Sequence, residues 1–113
     1  MPQEKFKIYL SGDITGQDYD LTVKKFQSAE DTIMGAYLNV VVVNPMNIVP
    51  KGTDHEQSMS LCLTELEHCQ VICMLPDWVG SKASQIERNH ALVNGILDIT
   101  FENLHVLDRI KCG

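Results

Sequence analysis

Val71-Ile72-Cys73-Met74-Leu75-Pro76-Asp77-Trp78-Val79-Gly80-Ser81-Lys82-Ala83-Ser84-Gln85-Ile86-Glu87 reads as a buried strand, a glycine-containing loop and the start of a helix. Five successive apolar residues, Val71 to Leu75, suit a strand covered on both faces. Pro76 ends it, because proline cannot donate to a strand ladder. The helix is expected from about Lys82 to Asn94, stopped by Gly95. Ser81 stands at its N-cap position, and Glu87 is the helix's one carboxylate. A loop hydroxyl followed by a helix with one acid suits an anionic or polyol ligand held over a single reactive group.

Moving outward, the same alternation of strand and helix repeats. Phe6 to Leu10 is expected to form a first strand, ending in a loop from Ser11 to Gly16 with two glycines. A helix starting near Asp18 or Asp20 follows, with Val23, Phe26, Ala29 or Glu30, and Ile33 facing inward and Gly35 marking its end. Leu38 to Val43 is an apolar, β-branched run, read as a strand covered on both faces and stopped by Asn44-Pro45. Irregular chain is expected through Ile48, Pro50, Gly52 and Asp54. A helix over about Glu56 to His68 carries an inner stripe of Met59, Cys62 or Leu63, and Leu66. Ile96 to Phe101 gives a fourth strand interrupted by Asp98, and Leu104 to Ile110 fits a last strand or a short helix equally. The pattern implies an α/β fold with a parallel sheet of four or five strands flanked by helices. Such sheets bind ligands beyond the carboxyl ends of their strands. That rule selects the loops Ser11 to Gly16, Asn44 to Asp54 and Pro76 to Ser81.

With 113 residues, 44% of them hydrophobic, the chain is expected to form one domain over residues 1–113. Fifteen acids against nine bases give a formal net charge of −6. A nucleic-acid groove needs clustered Lys and Arg, and no such cluster occurs, so a DNA or RNA polymer is not expected as a partner. A small nucleoside or nucleotide stays open, because a local loop can bind it. The four cysteines, Cys62, Cys69, Cys73 and Cys112, include no C-x-x-C pair. The first three read as buried small hydrophobes, and no metal or cofactor is expected. No segment approaches the roughly 20 apolar residues of a membrane span, and Met1 to Lys5 lacks an apolar signal core. A cytoplasmic protein is the expectation.

An ordered series of motifs carries a resemblance. It runs through Tyr9-Leu10-Ser11-Gly12-x-Ile14-Thr15-Gly16, Val42-Val43-Asn44-Pro45, Met59, Cys69 and Met74-Leu75-Pro76-x-Trp78, then Ser81, Glu87, Ala91 and Gly95. Over residues 7 to about 100 the chain resembles the nucleoside 2-deoxyribosyltransferase-like superfamily, and within it a small uncharacterised bacterial and phage branch. The resemblance implies a flavodoxin-like (Rossmann-type) three-layer sandwich. It implies an N-glycosidic bond hydrolase or deoxyribosyltransferase in which Glu87 attacks the anomeric carbon, and a homo-oligomer (dimer or larger) in which a neighbouring chain closes the pocket. It also implies a sugar or 5′-phosphate contact at Ser81. If residues 82 to 87 are helical, Ser81 and Glu87 lie within about 9 Å along the axis at a rise of about 1.5 Å per residue. The chain departs from the superfamily at Cys62, where relatives usually carry an aspartate that assists base departure, and at Gln70, where another aspartate is usual.

The candidate catalytic residues are therefore Glu87 and, as the nearest substitute acid, Asp77. The candidate substrate-binding residues are Gly12, Asp13, Ile14, Thr15, Gly16, Asn44, Trp78 and Ser81. Trp78 is placed to stack a base. Each has an ordinary structural role beside the functional one: a cap for Ser81 and Asn44, a turn for Gly12, Gly16 and Asp77, and a core lid for Trp78. Asp54, His55 and Glu56 read as a solvated loop, since consecutive side chains rarely converge on one ion. His68 and His90 read as surface or packing residues, and His90, one turn from Glu87, leaves open a modest role in its pKa. Two functions follow: an enzyme acting on the N-glycosidic bond of a nucleoside or nucleotide, or a binding protein for a nucleotide-derived small molecule on the same scaffold. Base release that depends on Glu87 separates them.

Overall fold

A computed structural model describes residues 6–14, 18–37 and 40–104 of the chain. Four strands, β1 (Phe6–Ser11), β2 (Val40–Val43), β3 (Val71–Met74) and β4 (Leu97–Thr100), form one sheet in the order β2-β1-β3-β4. Every pairing is parallel, with Ile8 opposite Val42 on one side and Val71 on the other. The connecting helices are α1 (Tyr19–Ala36), α2 (Pro45–Ile48), α3 (His55–Leu66) and α4 (Lys82–Val93). The architecture is flavodoxin-like. Among the described residues, no helix is long and apolar enough to cross a membrane.

Strand alternation sorts the core into two layers, because successive side chains leave a strand on opposite faces. Ile8 and Leu10 of β1 and Val71 and Cys73 of β3 pack with Phe26, Ala29 and Ile33 of α1. Tyr9 of β1 and Ile72 and Met74 of β3 pack instead with Cys62 and Leu66 of α3 and Ala91 of α4. The sheet is thus sandwiched, and polar groups on the α3/α4 side of β1 face a helix rather than water. Cys62, Cys69 and Cys73 are buried and free, as their spacing suggests.

Several boundaries differ from the sequence reading, each for a physical reason. Asp18 caps α1 by accepting from Leu21 N, but Gly35 does not stop the helix. The helix continues to Ala36, and Gly35 is not in the left-handed region that makes glycine a terminator. Val23 is half-buried, and Thr22 takes the inward place. The β2 strand is an edge, so only Val40 is buried while Val41, Val42 and Val43 are half-buried. Its β-branched run signals strand, not two-sided cover. The segment after it is not wholly irregular, since Asn44 and Pro45 start the short α2. Proline suits a first helical position, where its missing N–H is not needed. Asp54 caps α3, so His55 and Glu56 belong to a first helical turn rather than a loop. The expectations for Thr15, Gly16, Leu38, Asn39, residues 105–110 and Cys112 fall outside the described residues.

Candidate active site

The strand order reverses at β1. The chain leaves it for β2 on one side and later returns across it to β3 on the other. In such sheets the crevice at the carboxyl ends of the two central strands is the place for a ligand. Tyr9 and Ser11, two residues apart on β1, share the face turned to α3 and α4. Both hydroxyls converge on one carboxylate of α4. Tyr9 Oη donates to Glu87 Oε2 at 2.7 Å, and Ser11 Oγ donates to Glu87 Oε1 at 2.6 Å.

Helix periodicity explains why Glu87 arrives there. Ser81 caps α4 by accepting from Ser84 N at 3.1 Å. Ser84, Glu87 and Ala91 then fall on one face, three and four residues apart, and all three are buried. Glu87 is only 6% exposed. Burial pushes its carboxyl above the ordinary value of 4.5, while the Ser11 and Tyr9 hydrogen bonds act in the opposite direction. Its hydrogen bonds thus come from two neutral hydroxyls. The Tyr9 phenol is held well above its usual 10.0, first by burial and then by the charge of Glu87. Cys62 completes the cluster from α3, packed in the same buried layer as Tyr9. Burial pushes the Cys62 thiol up to about 11 against an opposing influence of the Tyr9 hydroxyl, with Glu87 and Glu65 adding to the rise.

This cluster lies against a cavity of about 300 Å³, at the small end of the roughly 300–1,000 Å³ of small-molecule sites. Glu87, Cys62, Ala83 and Gly12 line it, together with the face of α3 that carries Met59, Ser58 and His55. Met46, Val49 and Pro50 supply an apolar wall from the chain after β2. Lys51 and Tyr19 also line it, with the Lys51 ammonium 4.7 Å from the Tyr19 ring centroid. Chemically, this is a buried carboxylate, oriented by two hydroxyls, at a mostly apolar pocket large enough for one small ligand. No group of three or more His, Cys, Asp or Glu residues suited to hold a metal ion occurs among the described residues.

The family described as Domain of unknown function (DUF4406) matches residues 6–101. The chain belongs to the DUF4406 family. No curated protein and no solved structure matches it.

The DUF4406 domain brings some of the sequence candidates to the cavity and leaves others elsewhere. Glu87, Gly12 and Ile14 line it. Gly12 is there for steric reasons as well, since a Cβ would stand 2.9 Å from Leu75 Cδ1 and 3.1 Å from Asp77 Oδ1. Asp13 contributes backbone, its N–H donating to Asp77 Oδ1 at 3.1 Å and its carbonyl accepting from Lys25 Nζ at 2.6 Å. Asp77 itself forms a 2.6 Å ion pair with Lys25. Partial burial works against its charged form, but Lys25 and the Asp13 N–H outweigh that and hold the carboxyl below 3.8. Asp77 is thus a tie between the loops after β1 and β3, outside the lining of the cavity.

Ser81 is buried as a cap and does not line the cavity. Asn44 accepts from Met46 N and donates to Glu30 Oε1, joining α2 to α1. Trp78 lies at a second cavity of about 240 Å³ with Val79, Gln85 and Asn89, its ring under Arg88 at 5.4 Å. His90 pairs with Glu67 at 2.7 Å rather than acting on Glu87. In the DUF4406 domain the site residues that the sequence reading did not name as candidates include Tyr9, Ser11, Tyr19, Lys51 and His55, while Cys62 is the residue it placed where relatives carry an assisting aspartate. For Tyr9 and Ser11 a signal existed: two hydroxyls at alternate positions of an otherwise apolar central strand need a buried partner.

Proposed function

We propose that the chain is an N-glycosidic bond hydrolase or deoxyribosyltransferase acting on a nucleoside or nucleotide, with Glu87 as nucleophile. The observation that carries the reading is the pair of hydroxyl donors, Tyr9 and Ser11, fixing both oxygens of a buried carboxylate at the cavity. The resemblance to the nucleoside 2-deoxyribosyltransferase-like superfamily rests on the same residues and on Glu87. In this reading one Glu87 oxygen bonds to the anomeric carbon as the C–N bond breaks, giving a glycosyl ester. Water or a second base then takes the sugar, as in retaining glycoside chemistry. Gly12 and Ile14 border the sugar, and the Met46, Val49 and Met59 wall receives the base. A homo-oligomer whose neighbouring chain closes the cavity belongs to the same proposal.

The test is release of free base from a panel of nucleosides and their 5′-monophosphates. Glu87→Gln abolishes release in this account while the fold is retained, and turnover that survives the change removes Glu87 from the role. A second reading is a binding protein without turnover. The neutral thiol of Cys62 beside Glu87 favours it, since a thiol raised to about 11 is a poor proton donor for a leaving base. That reading predicts a thermal shift with members of the same panel and no product.

A further inference from the structure

An N-glycosidic bond breaks when the nucleophile bonds to the anomeric carbon and the C–N electron pair passes to the ring nitrogen. A neutral purine or pyrimidine then becomes an anion unless an acid protonates it as it leaves. A pyridinium base starts with a positive charge and leaves as a neutral molecule. The groups around Glu87 therefore decide which bases it can displace.

Among the described residues, nothing beside Glu87 is a matched proton donor. The Tyr9 hydroxyl is committed to Glu87 Oε2 and holds its proton more tightly than a free phenol. The Ser11 hydroxyl is committed to Oε1. Cys62 carries a thiol that stays protonated through neutral pH. Asp77 is held as a carboxylate by Lys25 and lies outside the cavity lining. Met46, Val49, Met59 and Ala83 make up the apolar part of the wall, and Lys51 and Tyr19 line it as a stacked pair, the ammonium 4.7 Å from the ring centroid. The His55 imidazole also lines the cavity. It is exposed at the start of α3, seven residues before Cys62. At a rise of about 1.5 Å per residue that is roughly 10 Å along the axis, whereas an acid must reach hydrogen-bond distance of the atom it protonates.

Resting on the reading of Glu87 as a glycosidic nucleophile, we propose that the site acts on N-glycosides of cationic heteroaromatic bases, the N-ribosylpyridinium class, and discriminates against neutral purine and pyrimidine nucleosides. A buried carboxylate in a cavity also lined by polarizable Met46 and Met59 suits a cationic ring better than a neutral one. The reaction balances without an added acid. The Glu87 Oε–carbon bond forms, the C–N pair neutralises the ring nitrogen, and a neutral pyridine departs. Water then attacks the anomeric carbon, the ester C–O bond breaks to restore the carboxylate, and the proton passes to solvent.

The test compares nicotinamide riboside with adenosine, which share one sugar, and their 2′-deoxy counterparts, following free base after subtraction of the uncatalysed rate. The expected kcat/KM for the pyridinium compound is at least about 100-fold above that for the neutral nucleoside, the lower range of what a general acid contributes. Glu87→Gln abolishes the pyridinium reaction. Cys62→Asp, which puts a carboxyl beside Glu87, raises neutral-base release and narrows the ratio; if that variant does not fold, the wild-type ratio decides alone. Adenosine or deoxyadenosine cleaved as fast as the pyridinium, and still dependent on Glu87, overturns the leaving-group proposal and leaves the nucleophile in place. Neutral-base release that disappears in His55→Ala overturns it in the same way and names the acid. No release from either class overturns both proposals.

Discussion

The Tyr9 hydroxyl donates to Glu87 Oε2 at 2.7 Å, and that bond joins the central strand to the helix packed over it. Its strength depends on the charge of Glu87, because a hydrogen bond to an ionised group contributes about 1.5–3 kcal/mol against about 1 for a neutral pair. Burial raises the Glu87 pKa, so the folded chain holds that proton more tightly than the unfolded chain. Stability from this group is therefore greatest at low pH and falls as pH rises from about 4.5 through the elevated folded value. Tyr9→Phe removes a donor to the carboxylate and raises that value further. Denaturant unfolding at pH 4, below the ordinary carboxyl value, and at pH 8 is expected to show a deficit of about 1 kcal/mol at the lower pH that grows toward about 3 as the carboxyl ionises. Equal deficits at both pH values would contradict the assignment.

Glu87→Gln keeps the side-chain volume and removes the buried charge. Two hydroxyls can rotate to donate to the amide oxygen or accept from its NH₂. The variant is expected to match or exceed the wild type in stability at neutral pH and to lose the decline that begins near pH 4.5. Melting temperatures measured across pH 4 to 8 check this. A variant less stable than wild type throughout would mean that the charged form holds the fold together.

Much of this was readable in advance, and the exceptions have particular causes. Continuous apolar strands, Asp18 as a cap, and Gly95 with φ +72 beyond α4 gave the parallel α/β frame and the loops of the site. Glu87 was singled out from its lone place on α4. Its partners needed strand phase: Tyr9 and Ser11 become site residues only when β1 is known to be central and covered. Trp78 and Asp77 adjoin the right loop, but side-chain direction sends one under Arg88 and the other to Lys25. Sequence adjacency carries no such direction. Lys51 lies in the Asn44 to Asp54 loop that the sheet rule selects and His55 opens α3 just beyond it, but neither side chain has a sequence signal that aims it at the cavity.

Gly12 is fixed by close approach rather than by backbone conformation. A Cβ there meets Leu75 Cδ1 at 2.9 Å and Leu75 Cβ at 3.0 Å, and Leu75 is a core residue that cannot easily move aside. Gly12→Ala is expected to cost about 1–3 kcal/mol, as overpacked cores do. It also displaces the loop that borders the cavity. Chemical denaturation gives the cost, and a stability within about 0.5 kcal/mol of wild type would show that the loop relaxes freely.

The three buried thiols make the fold sensitive to alkali. Burial raises Cys62 and Cys69 to about 11 and Cys73 to about 12 from an ordinary 9.0, with Lys7 opposing the rise at Cys69. The unfolded chain releases these protons first, so stability falls as pH rises from about 9 toward 11–12. Unfolding midpoints between pH 8 and 10.5 are expected to drop, and Cys73→Ala is expected to flatten the drop. At pH 8, peptide mapping after brief treatment with a thiol reagent should find Cys62, Cys69 and Cys73 unmodified in the native protein and modified in denaturant. Rapid native labelling of Cys73 would contradict its burial.

The central claim is that Glu87 forms a bond to the sugar, and the mass of the protein during turnover tests it most directly. A 2-deoxy-2-fluoro-arabinosyl pyridinium slows breakdown of a glycosyl ester and allows the adduct to be observed. The account predicts one added glycosyl unit, mapped by fragmentation to Glu87 and absent from Glu87→Gln. Base release with no adduct on Glu87, or an adduct on another residue, would contradict it.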